Sequence, residues 1–167
     1  MDEIETFAGT VGISAYSHAL MMVTKLPRTI HGNTLEGFVQ SACIESWYTN
    51  MRLLCEFYDI GGSSTNRDYK AKAFAKAHVS LESKKELNDV WVIASKLVSH
   101  LSKDRNPRTF ELDVDFSLQN MLRLSGLILE VSEGFENALK DNDSEYSALI
   151  HVANTSARSE LNYGSIS

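Results

Sequence analysis

His100, Ser102, Asp104 and Arg105 fall within one short segment and bring together a base, a hydroxyl, a carboxylate and a guanidinium. An imidazole titrates near neutrality and can serve as general acid or base. Arg105 offers the planar fork that clamps phosphate or carboxylate. A second set, Glu45 and Arg52, shares the narrow polar stripe of a long apolar helix. Seven residues separate them by about 10 Å along the axis, so both can reach a shared partner. The same residues have plainer uses. His and Arg in a last turn complement the helix dipole, and an Asp beside them forms a surface ion pair. Arg52 is also four residues from Glu56, the spacing of a surface pair, and a polar stripe on a wide apolar helix suits a buried network between helices.

Other chemistry has little support in the residue pattern. His18, His31, His78 and His151 are scattered, with no His-x-x-x-His or Glu-x-x-His pair, so no metal or cofactor is expected. Walker, dinucleotide-binding and nucleophile-elbow motifs are absent. Gly61-Gly62-Ser63-Ser64 follows a helix and lacks the lysine of a phosphate loop. Cys43 and Cys55 lie on one predicted helix roughly 18 Å apart, too far to bridge, and read as small buried hydrophobes.

A chain of 167 residues is enough for one domain with a real core. Hydrophobic residues at 43% and charged residues at 23% are ordinary for a soluble protein. No apolar run reaches the length of a membrane span, and the acidic start Met1–Glu5 is unlike a signal peptide. A cytoplasmic protein without membrane contact is the expectation. The net charge of −6 is unevenly spread. Residues 1–60 carry three Lys/Arg against seven Asp/Glu, residues 61–110 ten against five, and residues 111–167 three against ten. The basic centre, including segment 67–76, either draws an anion such as RNA or packs on the acidic helices, the reading favoured by overall acidity.

These residues must be positioned by helices. The first is expected from Asp2 into Val23, closed by Leu26-Pro27 because the residue before proline avoids the helical region. Asn33 and Glu36 suggest a start for the longest helix, Thr34 to Tyr58. A short basic helix follows over 68–77. Ser80 or Ser83 opens the next, whose Leu87, Val90, Trp91, Ala94, Leu97, Val98 and Leu101 form an apolar stripe ending at Asn106-Pro107. Residues 108–115 read as a loop. Asp115 or Ser117 caps a helix to Lys140, and a last helix runs from Glu145 to Ala153. The fold class is therefore all-α: an antiparallel bundle of four main helices with one or two short extra ones, centred on the Thr34–Tyr58 helix. Residues 1–153 form the domain and 154–167 a polar tail.

Two stretches carry a resemblance: Glu45-Ser46 with Arg52, Leu54 and Phe57 (E-S-x5-R-x-L-x-x-F), and His100-Leu101 with Arg105 (H-L-x3-R). They resemble a group of small uncharacterised bacterial all-helical proteins, and the layout is distantly similar to HEPN domains. HEPN ribonucleases use an Arg-x(4–6)-His motif at a dimer interface. Here the order is reversed, His100 before Arg105. The resemblance implies a metal-independent ribonuclease, or a toxin or defence component, with His100 as acid or base and Arg105, with Arg52, on the phosphate. Without a complete motif, the first expectation is a non-catalytic interaction module that self-associates or binds another protein.

Overall fold

A computed structural model describes residues 3–32, 34–61, 70–75, 79–98, 115–142 and 144–162. Among them the chain is all-helical and contains no strand: α1 (Glu3–Gly32), α2 (Gly37–Phe57), a 3₁₀ turn (Ala71–Ala73), α3 (Leu81–Val98), α4 (Leu118–Asp141) and α5 (Ser147–Asn162). No helix among these residues is long and apolar enough to cross a membrane.

The caps follow the local chemistry. Ser117 accepts from the Asn120 N–H at 3.3 Å and opens α4, and Ser80 does the same for Ser83 at 3.1 Å before α3. Both are oxygen acceptors for otherwise orphaned helix donors. The α2 start differs from expectation. The helix begins at Gly37, and Glu36 occupies the cap position without a side-chain bond.

The end of α2 is a Schellman turn in which Ile60 N–H bonds Cys55 C=O at 2.8 Å and Asp59 N–H bonds Glu56 C=O at 3.2 Å. Asp59 sits at φ +56°, where glycine is usual. Its carboxylate is engaged by Lys70 and, at 2.8 Å, by Lys72, so the turn also partners the buried Lys70. Gly61 follows at φ +77°, and a Cβ there would stand 2.4 Å from the Trp91 ring. Only glycine meets both demands.

Pro27 does not end α1, contrary to the local expectation; the helix continues to Gly32. A proline inside a helix removes one N–H and leaves the carbonyl four residues back without its partner. That carbonyl belongs to Val23, and it accepts the Trp47 indole N–H at 3.0 Å and the Ser125 hydroxyl at 2.6 Å. All three residues are buried. The group orphaned by Pro27 thus becomes the point where α1, α2 and α4 are tied together.

The pairings give the helix senses. Val23 meets Trp47 while Tyr16 meets Tyr58, so α1 and α2 run oppositely. Val23 meets Ser125 and Tyr16 meets Ser132, so α4 also opposes α1. Arg28 reaches the Glu160 and Leu161 carbonyls at 3.2 and 2.8 Å, whereas Ile13 and Leu149 share one groove, so α5 runs with α1. Helix α1, not the Thr34–Tyr58 helix, is the element against which α2, α4 and α5 all pack. The apolar coverage of α2 is wide, but Phe38 and Leu53 on it are exposed.

A second correction concerns the tail. Helix α5 continues through 154–162, where a polar tail is expected. Asn154 and Ala157 are buried, and the Arg28 guanidinium satisfies the last carbonyls at the end of the helix that favours a cation. The basic stretch 68–77 is described only over 70–75, where a single 3₁₀ turn replaces the expected helix.

Candidate functional site

His100, Ser102, Asp104 and Arg105 lie outside the described residues. Glu45 and Arg52 lie within them. Glu45 is an exposed side chain on α2, and its carbonyl accepts the Thr49 hydroxyl at 2.8 Å. Arg52 donates from Nε to Glu56 at 2.7 Å, both side chains about one-third exposed. The same Glu56 oxygen takes the Trp91 indole N–H at 3.1 Å. The polar stripe of α2 therefore joins α2 to α3 through Glu56.

The most extensive polar constellation is elsewhere, in the interior between α1, α2, α4 and α5. Tyr58 and Tyr16 share a 2.7 Å bond between their hydroxyls. Tyr16 bonds Ser132, and Ser132 donates to Asn154 Oδ1. The Asn154 amide donates to Glu136 Oε2 at 2.8 Å and to the Ser132 carbonyl at 3.3 Å. Lys140 and the His151 Nδ1, at 2.9 Å, both meet Glu136 Oε1. A carboxylate only accepts, so His151 presents a protonated Nδ1.

These partners set the direction of every bond. The Ser132 proton goes to Asn154, so Ser132 accepts from Tyr16, and Tyr16 in turn accepts from Tyr58. The donors run one way, from Tyr58 to the Glu136 carboxylate, and such aligned chains strengthen one another. The interior end is dry and aromatic: Tyr16 packs on Phe57 at 4.8 Å and on Phe135 at 6.2 Å between ring centroids.

Burial pushes the Tyr16 hydroxyl up to about 12, its bonds to Ser132 and Tyr58 only partly opposing this. Burial, with Tyr16 beside it, raises Tyr58 well above the ordinary phenol value. Both remain neutral donors at physiological pH. Burial also pushes the Cys55 thiol up to about 12, which removes its nucleophilic character. For Glu136, burial works against ionisation, but hydrogen bonds from Lys140, Asn154 and His151 outweigh it and hold the carboxyl below its usual value.

Chemically, the chain is a lock and not a relay. An amide interrupts it at Asn154, and an amide does not pass protons as hydroxyls do. Its consequence is a pH dependence of stability. A carboxyl whose folded pKa is depressed contributes stability that is present above the unfolded value and lost as pH falls through the folded one. Urea titrations of the protein are therefore expected to show stability falling as pH drops below about 4. Glu136→Gln should flatten that acid limb, and an unchanged slope would assign it to other carboxylates.

A second feature is an open groove of about 530 Å³ between α1 and α5, floored by Ile13, Ser17 and Ala153 and walled by Met21, Leu149 and Val152. Among the described residues, no group of three or more His, Cys, Asp or Glu side chains is placed to hold a metal ion. Comparison with protein-family models, characterised proteins and solved structures returns no match.

Residue patterning alone did not single out the polar chain, though part of it left a trace. Ser125, Ser132 and Glu136 occupy the same buried face of α4 as Met121, Leu129, Phe135 and Leu139. Polar residues at core positions of an otherwise regular amphipathic helix are the sign that another element must satisfy them.

Proposed function

We propose that the protein is a non-catalytic interaction module, a helical bundle that works by self-association. The observation that supports this reading is where the molecule puts its large apolar side chains. Val11, Met21, Leu149 and Val152 stand 41–63% exposed together on two adjacent helices, whereas the exposed Phe38, Leu53, Leu81 and Phe116 lie on other parts of the chain. An exposed apolar patch of this kind on a small domain marks an interaction site. Sedimentation equilibrium over a wide concentration range is expected to show reversible association, and a single species of 18.6 kDa throughout would overturn the reading. Incubation with labelled RNA in EDTA is expected to leave the RNA intact. Cleavage that disappears in His100→Ala would replace the interaction module with a HEPN-like ribonuclease acting through His100 and Arg105.

A further inference from the structure

The outer face of α1 and α5 has a composition unlike the remainder of the chain. Charged residues make up 23% of the protein, yet no Asp, Glu, Lys or Arg occurs from Thr6 to Thr24 or from Tyr146 to Ala157. Burial explains only part of this. Ser14, Ala15, His18, Ala148, Thr155 and Ser156 are exposed, as are the four apolar side chains named above. A solvated helix surface is normally charged, and depletion of charge with exposed Met and aliphatic side chains is the composition of an interface centre.

The charges return at the two ends of this face, a carboxylate at one and an exposed ammonium beside a partly exposed carboxylate at the other. Glu145 is exposed four residues before Leu149. Lys25 lies four residues after Met21, its side chain 58% exposed, with Glu160 at 3.8 Å. Because α1 and α5 run in the same sense, Glu145 marks one end of the groove and Lys25 the other. Between them the floor carries two small side chains, Ser17 and Ala153, beside the buried Ile13, which lets another helix pair approach closely.

We infer that this face docks a second copy of the same chain, the two α1–α5 pairs crossing antiparallel about a two-fold axis. The inference rests on the self-association reading and gives it a surface and a geometry. A two-fold contact is made by one patch on both subunits, so that patch must complement itself. An apolar centre with a carboxylate at one end and an exposed ammonium at the other does so when reversed: each Glu145 comes to Lys25 of the second copy, in competition with the 3.8 Å contact that Lys25 makes to Glu160 within its own chain, and Met21, Leu149 and Val152 close over the groove floor. A uniformly charged rim would repel itself in that arrangement.

Size-exclusion chromatography with light scattering on the full chain tests this. The wild type is expected at twice 18.6 kDa, and Val152→Glu at 18.6 kDa with an unchanged far-UV circular dichroism spectrum, since Val152 is 63% exposed. Glu145→Lys and Lys25→Glu should each raise the dimer dissociation constant roughly fivefold, and the double charge reversal should restore it. A wild-type dimer that survives Val152→Glu overturns the face while leaving self-association standing. A dimer lost in Val152→Glu but not recovered by the charge reversal overturns the antiparallel geometry. A wild-type monomer overturns both, and a monomer that floats with phosphatidylcholine–phosphatidylglycerol vesicles gives the face to a lipid surface.

Discussion

Trp47→Ala is expected to lower stability by about 3–5 kcal/mol, the range for removing a fully enclosed large aromatic side chain. Trp47 is 0% exposed, packs edge-to-face on Tyr48 at 4.8 Å and donates to the carbonyl that Pro27 leaves without its helical partner. Subtler variants separate packing from hydrogen bonding. Trp47→Phe keeps most of the ring, and the Ser125 hydroxyl still reaches Val23 C=O, so a loss of about 1 kcal/mol is expected. Adding Ser125→Ala removes the remaining donor and orphans a buried carbonyl. The pair should therefore cost about 1–3 kcal/mol beyond the sum of the single changes. Pro27→Ala should rescue the double variant, because its new N–H bonds Val23 within the helix. Urea denaturation of the set measures this, and strict additivity without rescue would show that the carbonyl does not depend on these donors.

Asn154 is expected to be the most sensitive polar position. Asn154→Ala strips the acceptor from Ser132 and one donor from Glu136. With both left in a dry interior, about 2–4 kcal/mol should be lost. Asn154→Asp tests the electrostatics with little change of shape. It sets a second carboxylate at the position from which the amide now donates to Glu136 Oε2 at 2.8 Å. Two such groups cannot both ionise, so one pKa of the pair rises in the folded state. Stability held only by the protonated form is lost as pH rises and recovered as it falls. The variant should therefore be weakest at neutral pH and gain stability on acidification, the reverse of the wild-type trend attributed to Glu136. Thermal melts from pH 7 to pH 4 would show it; parallel curves for variant and wild type would mean that the amide does not face the carboxylate.

Both predictions mark where local reading stops. The helices themselves were legible: the stripe of Leu87, Val90 and Ala94 is buried as its spacing implies, and Ser117 caps α4 as its position suggests. Helix caps and amphipathic periods depend on residues three or four apart, so a sequence displays them directly. Pro27 is the opposite case. The rule that proline ends a helix assumes that the freed carbonyl finds only water, and here its donors come from positions 24 and 102 residues away along the chain. The same distance hid α5 beyond Ala153, whose last carbonyls depend on Arg28 from the first helix.

The candidate site divides in the same way. Glu45, Arg52 and Glu56 were visible as a stripe because they share one helix, but the bond from Trp91 to Glu56 is a contact between helices. His100, Ser102, Asp104 and Arg105 stand as a sequence pattern alone. Tyr16, Ser132, Glu136 and Asn154 come from three helices and Tyr58 from the cap that ends a fourth, and no spacing announces that they meet. By itself the sequence determined an all-helical chain, the type of each main helix and the two uncharged stretches on α1 and α5. Only the tertiary structure decided that those stretches lie side by side, that α1 is the shared packing surface, and that Tyr58, Tyr16, Ser132, Asn154 and Glu136 bond to one another. The reason is physical. Backbone propensity and periodicity are local, whereas satisfying a buried polar group requires a partner that only folding brings within 3 Å or so.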